Sequence, residues 1–294
     1  MDELAIENAE LRVVVQPGYG ARVVSLVDRR SGRDWMAKGP TSGNTGEGAR
    51  YGLDEAVGWD ECFPTVGACD ASDTAWSRPL RDHGDLWGRP WTVEQHAPTV
   101  LTTVFAGRGY RFRRRLSLDG SRLAADYQVD NGGAAPLPFL WALHALLATR
   151  AGEEIRLPGI DRIRAGGLRA GGSAVAGGEL PWPGPPTGLG FPLDRIQPSA
   201  ADFLGKFYLA DVPALEPEVG GEGRRLHLAW SGVDHLGIWL TYGGWPARGG
   251  AHHVALEPTT APADDLMQAI RQGRAAIIEP GGTAEWRVEM TLLG

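Results

Sequence analysis

Cysteine, lysine and long apolar runs are all scarce in this sequence of 294 residues. Its two cysteines, Cys62 and Cys69, do not form a CxxC pair. A disulfide between them is sterically conceivable, but a chain of this size does not need one. No apolar run approaches eighteen residues, and the acidic N-terminal segment lacks the layout of a secretion signal. The sequence therefore predicts a cytoplasmic protein without a membrane partner.

Positive charge and the common cofactor motifs are lacking as well. The net charge is −7 and no run of Lys or Arg stands out, which argues against a nucleic-acid partner. The chain has no GxGxxG after a strand, no GxxxxGK[ST], no HExxH and no GxSxG. The glycine-rich segment 39–52 lacks the strand-to-helix setting of a phosphate-binding loop, and we interpret it as a surface loop.

Two-residue alternation of apolar and polar side chains dominates the chain. Tyr110–Leu118 (YRFRRRLSL) and Arg122–Asp130 (RLAADYQVD) alternate around Asp119–Gly120–Ser121, which is typical of a β-hairpin. Helical periodicity is nearly absent, and Asp264–Arg271 is the best short helix candidate. Further strands are predicted at Leu11–Val15, Arg22–Val27, Thr99–Phe105, Phe139–Leu147, Lys206–Asp211, Arg225–Trp230, Leu236–Tyr242, His253–Glu257, Ala275–Glu279 and Ala284–Leu292. This pattern predicts an all-β fold, a large antiparallel sandwich with few short helices, in a single domain over residues 1–294.

The segment Arg81–Trp91 (RDHGDLWGRPW) mixes tryptophans with charged side chains in a loop. Such a mixture suits a sugar, because an indole stacks on the apolar face of a pyranose while Asp, His and Arg bind its hydroxyl groups. The alternative is a loop held by buried tryptophans whose charged groups are merely solvated. Both interpretations stay open for His83, which either contacts a ligand or is a solvated side chain of the loop.

Two further segments place a titratable group where core packing does not require one. His144 is the polar residue of the apolar segment Pro138–Ala148, so it is either a satisfied core histidine or a proton donor tunable near neutral pH. Glu257 precedes Pro258, which predicts a carboxylate at the rim of a sheet. The neighbours His252 and His253 point to opposite faces of a strand and make a poor chelating pair, so we reject a zinc site there.

Four segments in order resemble the aldose 1-epimerases, or galactose mutarotases, in their more divergent bacterial branch. They are GWDECFPT (Gly58–Thr65), DHGDLWGRPW (Asp82–Trp91), FLWALH (Phe139–His144) and ALEPTTAP (Ala255–Pro262). The resemblance spans most of the chain. It implies a large antiparallel β-supersandwich in which His144 is the general acid, Glu257 the general base and His83 a sugar-binding residue.

The resemblance leaves other sugar contacts open. The family's arginine has Arg50, Arg81 and Arg89 as candidate counterparts, and its aspartate has Asp60, Asp82 and Asp234. We expect Trp87 or Trp91 to form the stacking floor. Hydroxyl contacts are expected from Asp82, Asp85 or Arg81.

The resulting expectation is an aldose 1-epimerase that interconverts the anomers of a free hexose without metal or organic cofactor. Two alternatives stay open: a carbohydrate-binding protein without catalysis, and another carbohydrate enzyme on the same scaffold, such as an epimerase of a phosphorylated hexose. Only Glu257 is well placed as a carboxylate, which disfavours a glycosidase with two carboxylates. The expected partner is a small sugar, and the protein is expected to be a monomer or a homodimer.

Overall fold

The computed structural model describes residues 2–39, 49–52, 55–246 and 250–294. Most of the glycine-rich segment 39–52 thus lies outside the described residues. The strands, in chain order, are Leu4–Glu7 (β1), Leu11–Gln16 (β2), Arg22–Asp28 (β3), Arg33–Asp34 (β4), Trp59–Cys62 (β5), Cys69–Asp70 (β6), Pro79–Leu80 (β7), Thr92–Ala97 (β8), Val100–Ala106 (β9), Tyr110–Asp119 (β10), Arg122–Asn131 (β11), Leu137–Phe139 (β12), Ala142–Leu147 (β13), Glu154–Arg156 (β14), Arg162–Ala170 (β15), Ser173–Val175 (β16), Gly178–Pro181 (β17), Phe203–Leu209 (β18), Glu218–Gly221 (β19), Arg224–Ser231 (β20), His235–Tyr242 (β21), His252–Thr259 (β22), Ala276–Ile278 (β23) and Thr283–Leu293 (β24). One α-helix, Leu266–Arg271 (α1), and a 3-10 turn at Ser199–Ala201 complete the elements of the described residues.

Two large sheets organise these strands. The twelve-stranded sheet has the order β1-β2-β3-β5-β13-β22-β21-β18-β15-β16, with β4 beside β3 and β17 beside β15. The eight-stranded sheet has the order β14-β19-β20-β24-β11-β10-β9-β8, and two small sheets pair β12 with β23 and β6 with β7. Strand pairs in both large sheets are antiparallel. The predicted all-β antiparallel fold is confirmed.

The β10–β11 hairpin shows how the alternating sequence produces its strands. Burial alternates along β10, with its apolar side chains inward and most of its arginines half-exposed. The register runs from Tyr110 opposite Asn131 to Asp119 opposite Arg122, as the hairpin prediction requires. Gly120 has φ +54° in the connecting turn, a conformation that glycine adopts without the steric cost of a Cβ.

The space between the large sheets is filled by aromatic side chains around one buried ion pair. Glu61 of β5 accepts hydrogen bonds from the guanidinium of Arg114, the indoles of Trp59 and Trp141, and the hydroxyl of Tyr127, at 2.9–3.0 Å. Glu61 and Arg114 are both fully buried. Because successive residues of a strand point to opposite faces, Asp60 and Cys62 lie on the other face of β5, where the cavity described below opens.

The structure corrects the predicted strand Phe139–Leu147. It consists of two strands, β12 and β13, in different sheets. The chain changes sheet at Leu140 and Trp141, whose amides donate to the carbonyl of Pro64 and to Oγ1 of Thr260. The uninterrupted apolar sequence hid this break, because it gives no local turn signal.

Two further predictions about organisation are the absence of a membrane span and the presence of a single domain. Within the described residues, we find no helix with the length and apolarity that crossing a bilayer requires. The single-domain organisation stays a prediction.

Candidate active site

A cavity of about 460 Å³ opens on the face of the twelve-stranded sheet that points away from the eight-stranded sheet. Its volume lies within the range of roughly 300–1,000 Å³ that is usual for small-molecule sites. The side chains and backbone that line it are those of Tyr51, Ala56, Val66, Gly67, Asp82, His83, His144, Leu146, Gly166, Gly167, Leu168, Arg169, Leu204, Lys206, Trp239, Trp245, His253, Glu257 and Asp264. Four of the eight predicted site residues, Asp82, His83, His144 and Glu257, are therefore brought together.

The strand register places His144 level with Glu257. Strand β13 pairs with β22 through Ala142 opposite Thr259 and Leu146 opposite Ala255. The same register continued between these pairs sets His144 opposite Glu257. Both residues line the cavity, so the imidazole and the carboxylate are neighbours across adjacent strands although they are 113 positions apart in sequence.

The predicted position of Glu257 at the rim of a sheet is wrong. Strand β22 continues through Pro258 to Thr259, between β13 and β21. On one side of β22, no residue of β13 pairs with Pro258, so its missing N–H removes no hydrogen bond of that ladder. On the other side, Pro258 stays in register with Leu236 of β21. The interruption of the ladder thus occurs where Glu257 and His144 face each other.

Lys206 holds the carboxylate of Glu257. Its Nζ donates a hydrogen bond to Oε2 of Glu257, and the two side chains are only 13% and 3% exposed. Gly237 of β21, directly opposite Glu257, provides the space for this pair. A Cβ at Gly237 would lie 2.8 Å from Oε2 of Glu257 and 3.5 Å from Nζ of Lys206.

The substitution Gly237→Ala is expected to destabilise the protein by about 1–3 kcal/mol, because the added methyl group overpacks a carboxylate held by its ion pair. Urea unfolding measures this change. The matched control is Gly167→Ala, since Gly167 is also a strand glycine lining the cavity and has open space at its Cβ position. Equal stability of both variants would contradict the fixed position of Glu257.

His144 sits in a cluster of aromatic rings. The hydroxyl of Tyr51 lies 3.3 Å from Nδ1 of His144, and the ring of His83 meets the His144 ring edge-on with centroids 4.6 Å apart. Burial lowers the pKa of His144 well below its ordinary value, and the nearby His83 and Lys206 add to this effect. Burial raises the pKa of Tyr51 well above its ordinary value. At neutral pH the imidazole is therefore mainly uncharged and the phenol keeps its proton.

His83 is fixed by the backbone of its loop. It adopts φ +60° and is followed by Gly84 at φ +68°. A Cβ at Gly84 would lie 2.0 Å from the carbonyl oxygen of Phe63, so the loop packs directly on the end of β5. The His83 ring stacks on Tyr51 with centroids 3.7 Å apart, and its Nδ1 lies 3.2 Å from a carboxylate oxygen of Asp82.

Cys62 lies beneath these two histidines. Its sulfur and one nitrogen from each of His83 and His144 are all within 4.8 Å of one another. Among the described residues, this is the one cluster of three or more side chains that could bind a metal ion together. Burial raises the pKa of the Cys62 thiol well above its ordinary value, with a further contribution from the charge of Glu257. The thiol is therefore protonated at neutral pH in the absence of an ion.

Four other predicted contacts from the Arg81–Trp91 loop do not lie on the cavity wall. Trp87 is fully buried, and its indole donates to the carbonyl of Asp82 at 2.9 Å, so it supports the loop from below. Arg81 stacks on Trp87 and donates to loop carbonyls. Asp85 is buried and bound by Arg78 and the hydroxyl of Tyr110. Trp91, the second predicted floor residue, is likewise buried, with its indole bound to Leu86.

Asp60, the remaining predicted residue, is also engaged elsewhere. It is 1% exposed and accepts two hydrogen bonds from Nε of Arg22, whose guanidinium also binds Glu55. In register, Asp60 lies opposite His144 on the β5 side. It therefore belongs to a charged layer under the cavity, and its burial leaves no surface for a direct sugar contact.

The aromatic wall of the cavity comes from residues that the sequence analysis did not select. Trp239 and Trp245 meet nearly perpendicularly, with centroids 6.3 Å apart, and both are partly exposed. Strand register would have revealed Trp239, since Leu146, Ala255, Trp239 and Lys206 form one row across four adjacent strands. Without the strand order, each reads as an ordinary strand residue. No sequence motif pointed to Tyr51, which lies in the glycine-rich segment 39–52.

His253 is another lining residue of the cavity and is 2% exposed. Burial lowers its pKa from 6.5 to about 3, with a smaller contribution from His252. Between about pH 6 and pH 4 the unfolded chain therefore binds a proton at this position that the folded protein does not. Folding stability decreases as the pH falls through this range.

The substitution His253→Gln is expected to flatten this pH dependence by about 1.4 kcal/mol per pH unit, the contribution of a single titrating group. Chemical unfolding at pH 6, 5 and 4 measures the slope for wild type and variant. The control His96→Gln removes an exposed histidine and should leave the slope unchanged. A slope unaffected by His253→Gln would show that this imidazole titrates normally.

Comparisons with known proteins bear on the fold. A scan of protein-family models finds no match, and a comparison with curated proteins finds no significant match. Among solved structures, a galactose mutarotase related enzyme from Lactobacillus acidophilus is similar over 100% of this chain and 98% of its own, with a TM-score of 0.68 and 15% identity. A galactose mutarotase-like protein from Lactobacillus casei is similar over 99% of this chain and 100% of its own, with a TM-score of 0.66 and 15% identity. The Slr1438 protein from Synechocystis is similar over 99% of this chain and 96% of its own, with a TM-score of 0.68 and 17% identity.

These similarities extend over nearly the whole of each chain. At such low identity they establish the architecture and leave the chemistry of the site to its own residues. The chain has the galactose mutarotase-like β-sandwich fold, as the sequence resemblance implied.

Proposed function

We propose that this protein is an aldose 1-epimerase that interconverts the α and β anomers of a free hexose. The observation that carries the proposal is that His144 and Glu257 lie level with each other on adjacent strands and line one cavity. An imidazole and a carboxylate facing one ligand can exchange protons with two of its oxygen atoms. The fold shared with mutarotase-like proteins supports the same assignment.

In the proposed reaction, the carboxylate of Glu257 takes the proton of the anomeric hydroxyl. His144 gives a proton to the ring oxygen as the C1–O5 bond breaks, and the open-chain aldehyde rotates about C1–C2. Ring closure on the other face of C1 returns both protons. Because burial lowers the pKa of His144, its cationic form is a stronger acid than a solvated imidazolium, although less of it is present at neutral pH.

The walls of the cavity fit a pyranose. Trp239 and Trp245 offer two partly exposed indole surfaces for the apolar face of the ring. Asp82, whose carboxylate is half-exposed, and Asp264 offer oxygen atoms to hydroxyl groups. His83, fixed beside His144, can donate to the ring oxygen or to a neighbouring hydroxyl.

The charge of the cavity favours a free sugar over a phosphorylated one. Its lining contains three carboxylates, those of Asp82, Glu257 and Asp264, against the two cations Lys206 and Arg169. Lys206 is bound to Glu257. A phosphate group prefers a cluster of arginines able to form charge-assisted bonds, and the described lining offers one arginine.

Polarimetry on freshly dissolved α-D-glucose and α-D-galactose tests the proposal. The protein should accelerate the drift of optical rotation toward equilibrium, and boiled protein should not. A positioned proton-transfer group typically accelerates a reaction by about 10²–10⁴-fold. Two such groups can supply most of the acceleration that ring opening requires, since mutarotation also occurs spontaneously over a moderate barrier. Saturable binding by calorimetry without acceleration would favour the carbohydrate-binding alternative. Acceleration confined to glucose 6-phosphate would favour an epimerase of phosphorylated hexoses.

A further inference from the structure

A buried thiol lies close to two imidazoles that line the cavity. Cys62 of β5, His144 of β13 and His83 of the adjoining loop place one ligand atom each within 4.8 Å of the other two. Cys62 and His144 are buried and His83 is only 15% exposed at its side chain. Three elements distant in sequence thus bring three metal-binding groups to one point.

The chemistry of this set suits a soft divalent ion. Thiolate sulfur and imidazole nitrogen are both ligands of Zn²⁺, which prefers tetrahedral sites with nitrogen and sulfur ligands. Tetrahedral bonds of the usual lengths require ligand atoms about 3.3–3.7 Å apart. The atoms of this group therefore need to approach one another by about 1 Å when a tetrahedral ion binds all three.

The surroundings already resemble those of a metal centre. Asp82 lies 3.2 Å from Nδ1 of His83, and the hydroxyl of Tyr51 lies 3.3 Å from Nδ1 of His144. Each imidazole thus has a polar side chain close to its Nδ1. Partners of this kind orient ligand histidines and select the coordinating nitrogen.

We propose that Cys62, His83 and His144 form an inhibitory Zn²⁺ site whose fourth position faces the cavity. Binding releases the thiol proton of Cys62 to solvent and engages the imidazole of His144. The inhibitory part rests on the proposed function, because a coordinated His144 no longer exchanges protons with a sugar. The binding part does not depend on any activity. Cys62 touches no reacting atom in the proposed reaction, so its thiol serves the metal alone.

Titration of the chelator-treated full chain with Co²⁺, a spectroscopic substitute for Zn²⁺, tests the binding. We expect saturation at one equivalent, with a thiolate-to-cobalt charge-transfer band in the near ultraviolet that excess Zn²⁺ removes. Cys62→Ala should abolish the band. Cys69→Ala is the matched control and should retain it, because Cys69 lies outside the group.

A second variant guards against a folding defect in Cys62→Ala. His83→Asn removes a ligand while keeping a residue that tolerates the positive φ at this position. It should weaken Co²⁺ binding at least tenfold. Absence of the band in the wild type, or its survival in Cys62→Ala, would overturn the site.

Kinetic measurements test inhibition separately. One equivalent of Zn²⁺ should slow mutarotation by the wild type at least tenfold, a chelator should restore it, and Cys62→Ala should be insensitive. Undiminished mutarotation by the fully Zn²⁺-loaded wild type would overturn the inhibitory role. The Co²⁺ titration needs no turnover, so its result is distinguishable from a failure of the proposed function.

Discussion

The substitution Glu257→Gln is expected to lower the mutarotation rate by about a hundredfold or more, the usual loss when a positioned general base is removed. The amide keeps the size of the carboxylate but does not accept the proton of the anomeric hydroxyl. Polarimetry at saturating sugar measures the loss. Because the variant retains the aromatic wall of Trp239 and Trp245, calorimetry should still detect sugar binding.

The matched control for this prediction is Glu279→Gln, which removes an exposed carboxylate outside the cavity. It should leave the rate unchanged. The substitution leaves the nearly buried Lys206 without its ionic partner, which can reduce stability. The rate must therefore be measured at a temperature at which circular dichroism shows Glu257→Gln to be folded. More than about a tenth of the wild-type rate in Glu257→Gln would show that this carboxylate is not the base.

The substitution Arg114→Met is expected to reduce the free energy of unfolding by about 3–5 kcal/mol, because it leaves the buried carboxylate of Glu61 without its cation. Arg114 is fully buried, donates to Glu61 at 2.9 Å and also donates to the carbonyl of Ala21. The indoles of Trp59 and Trp141 still donate to Glu61, but they supply no positive charge. Guanidinium-induced unfolding monitored by tryptophan fluorescence measures the change.

The neighbouring Arg113 provides the control. It lies on the solvent face of the same strand and pairs with Glu94 at 3.3 Å, with both side chains about one third exposed. Arg113→Met should therefore change stability by less than about 1 kcal/mol. In the Arg114→Met background, Glu61→Gln should recover part of the loss, since it removes the unpaired buried charge. Equal losses from Arg113→Met and Arg114→Met would contradict the proposed importance of the buried pair.

The sequence predicted the sheets well because alternation is a local signal. Tyr110–Leu118 and Arg122–Asp130 each differ from β10 and β11 by a single residue at one end. The helix was placed correctly at its end, and the side chain of Asp265 caps it by accepting from the amide of Gln268. The break at Leu140 and Trp141 was missed, since its hydrogen bonds go to residues distant in sequence.

The candidate site shows the limits of local reasoning more clearly. His144 and Glu257 were selected from their motifs, and the register sets them side by side. Pro258 suggested a sheet rim, but a proline is also accommodated inside a sheet where one ladder is interrupted. Composition alone made Trp87 look like a sugar platform, but Trp87 is fully buried, and the tryptophans on the cavity wall are Trp239 and Trp245.

The difference between these tryptophans is one of tertiary contact. The indole of Trp87 finds a backbone acceptor inside its own loop and is buried by it. Trp239 lies on the cavity wall and is partly exposed because of its place in a row with Ala255 and Lys206, which depends on strand order. Strand order is set by pairing across the whole chain, and no local pattern encodes it.

A crystal structure of Glu257→Gln with a bound free hexose would show whether His144 and position 257 act on the same sugar. We expect the anomeric O1 to lie about 2.6–3.2 Å from the side chain at position 257 and the ring oxygen to lie within the same distance of a His144 ring nitrogen. The pyranose should rest against Trp239 or Trp245. A sugar bound outside this cavity, or turned so that His144 and position 257 contact neither oxygen, would contradict the proposed reaction.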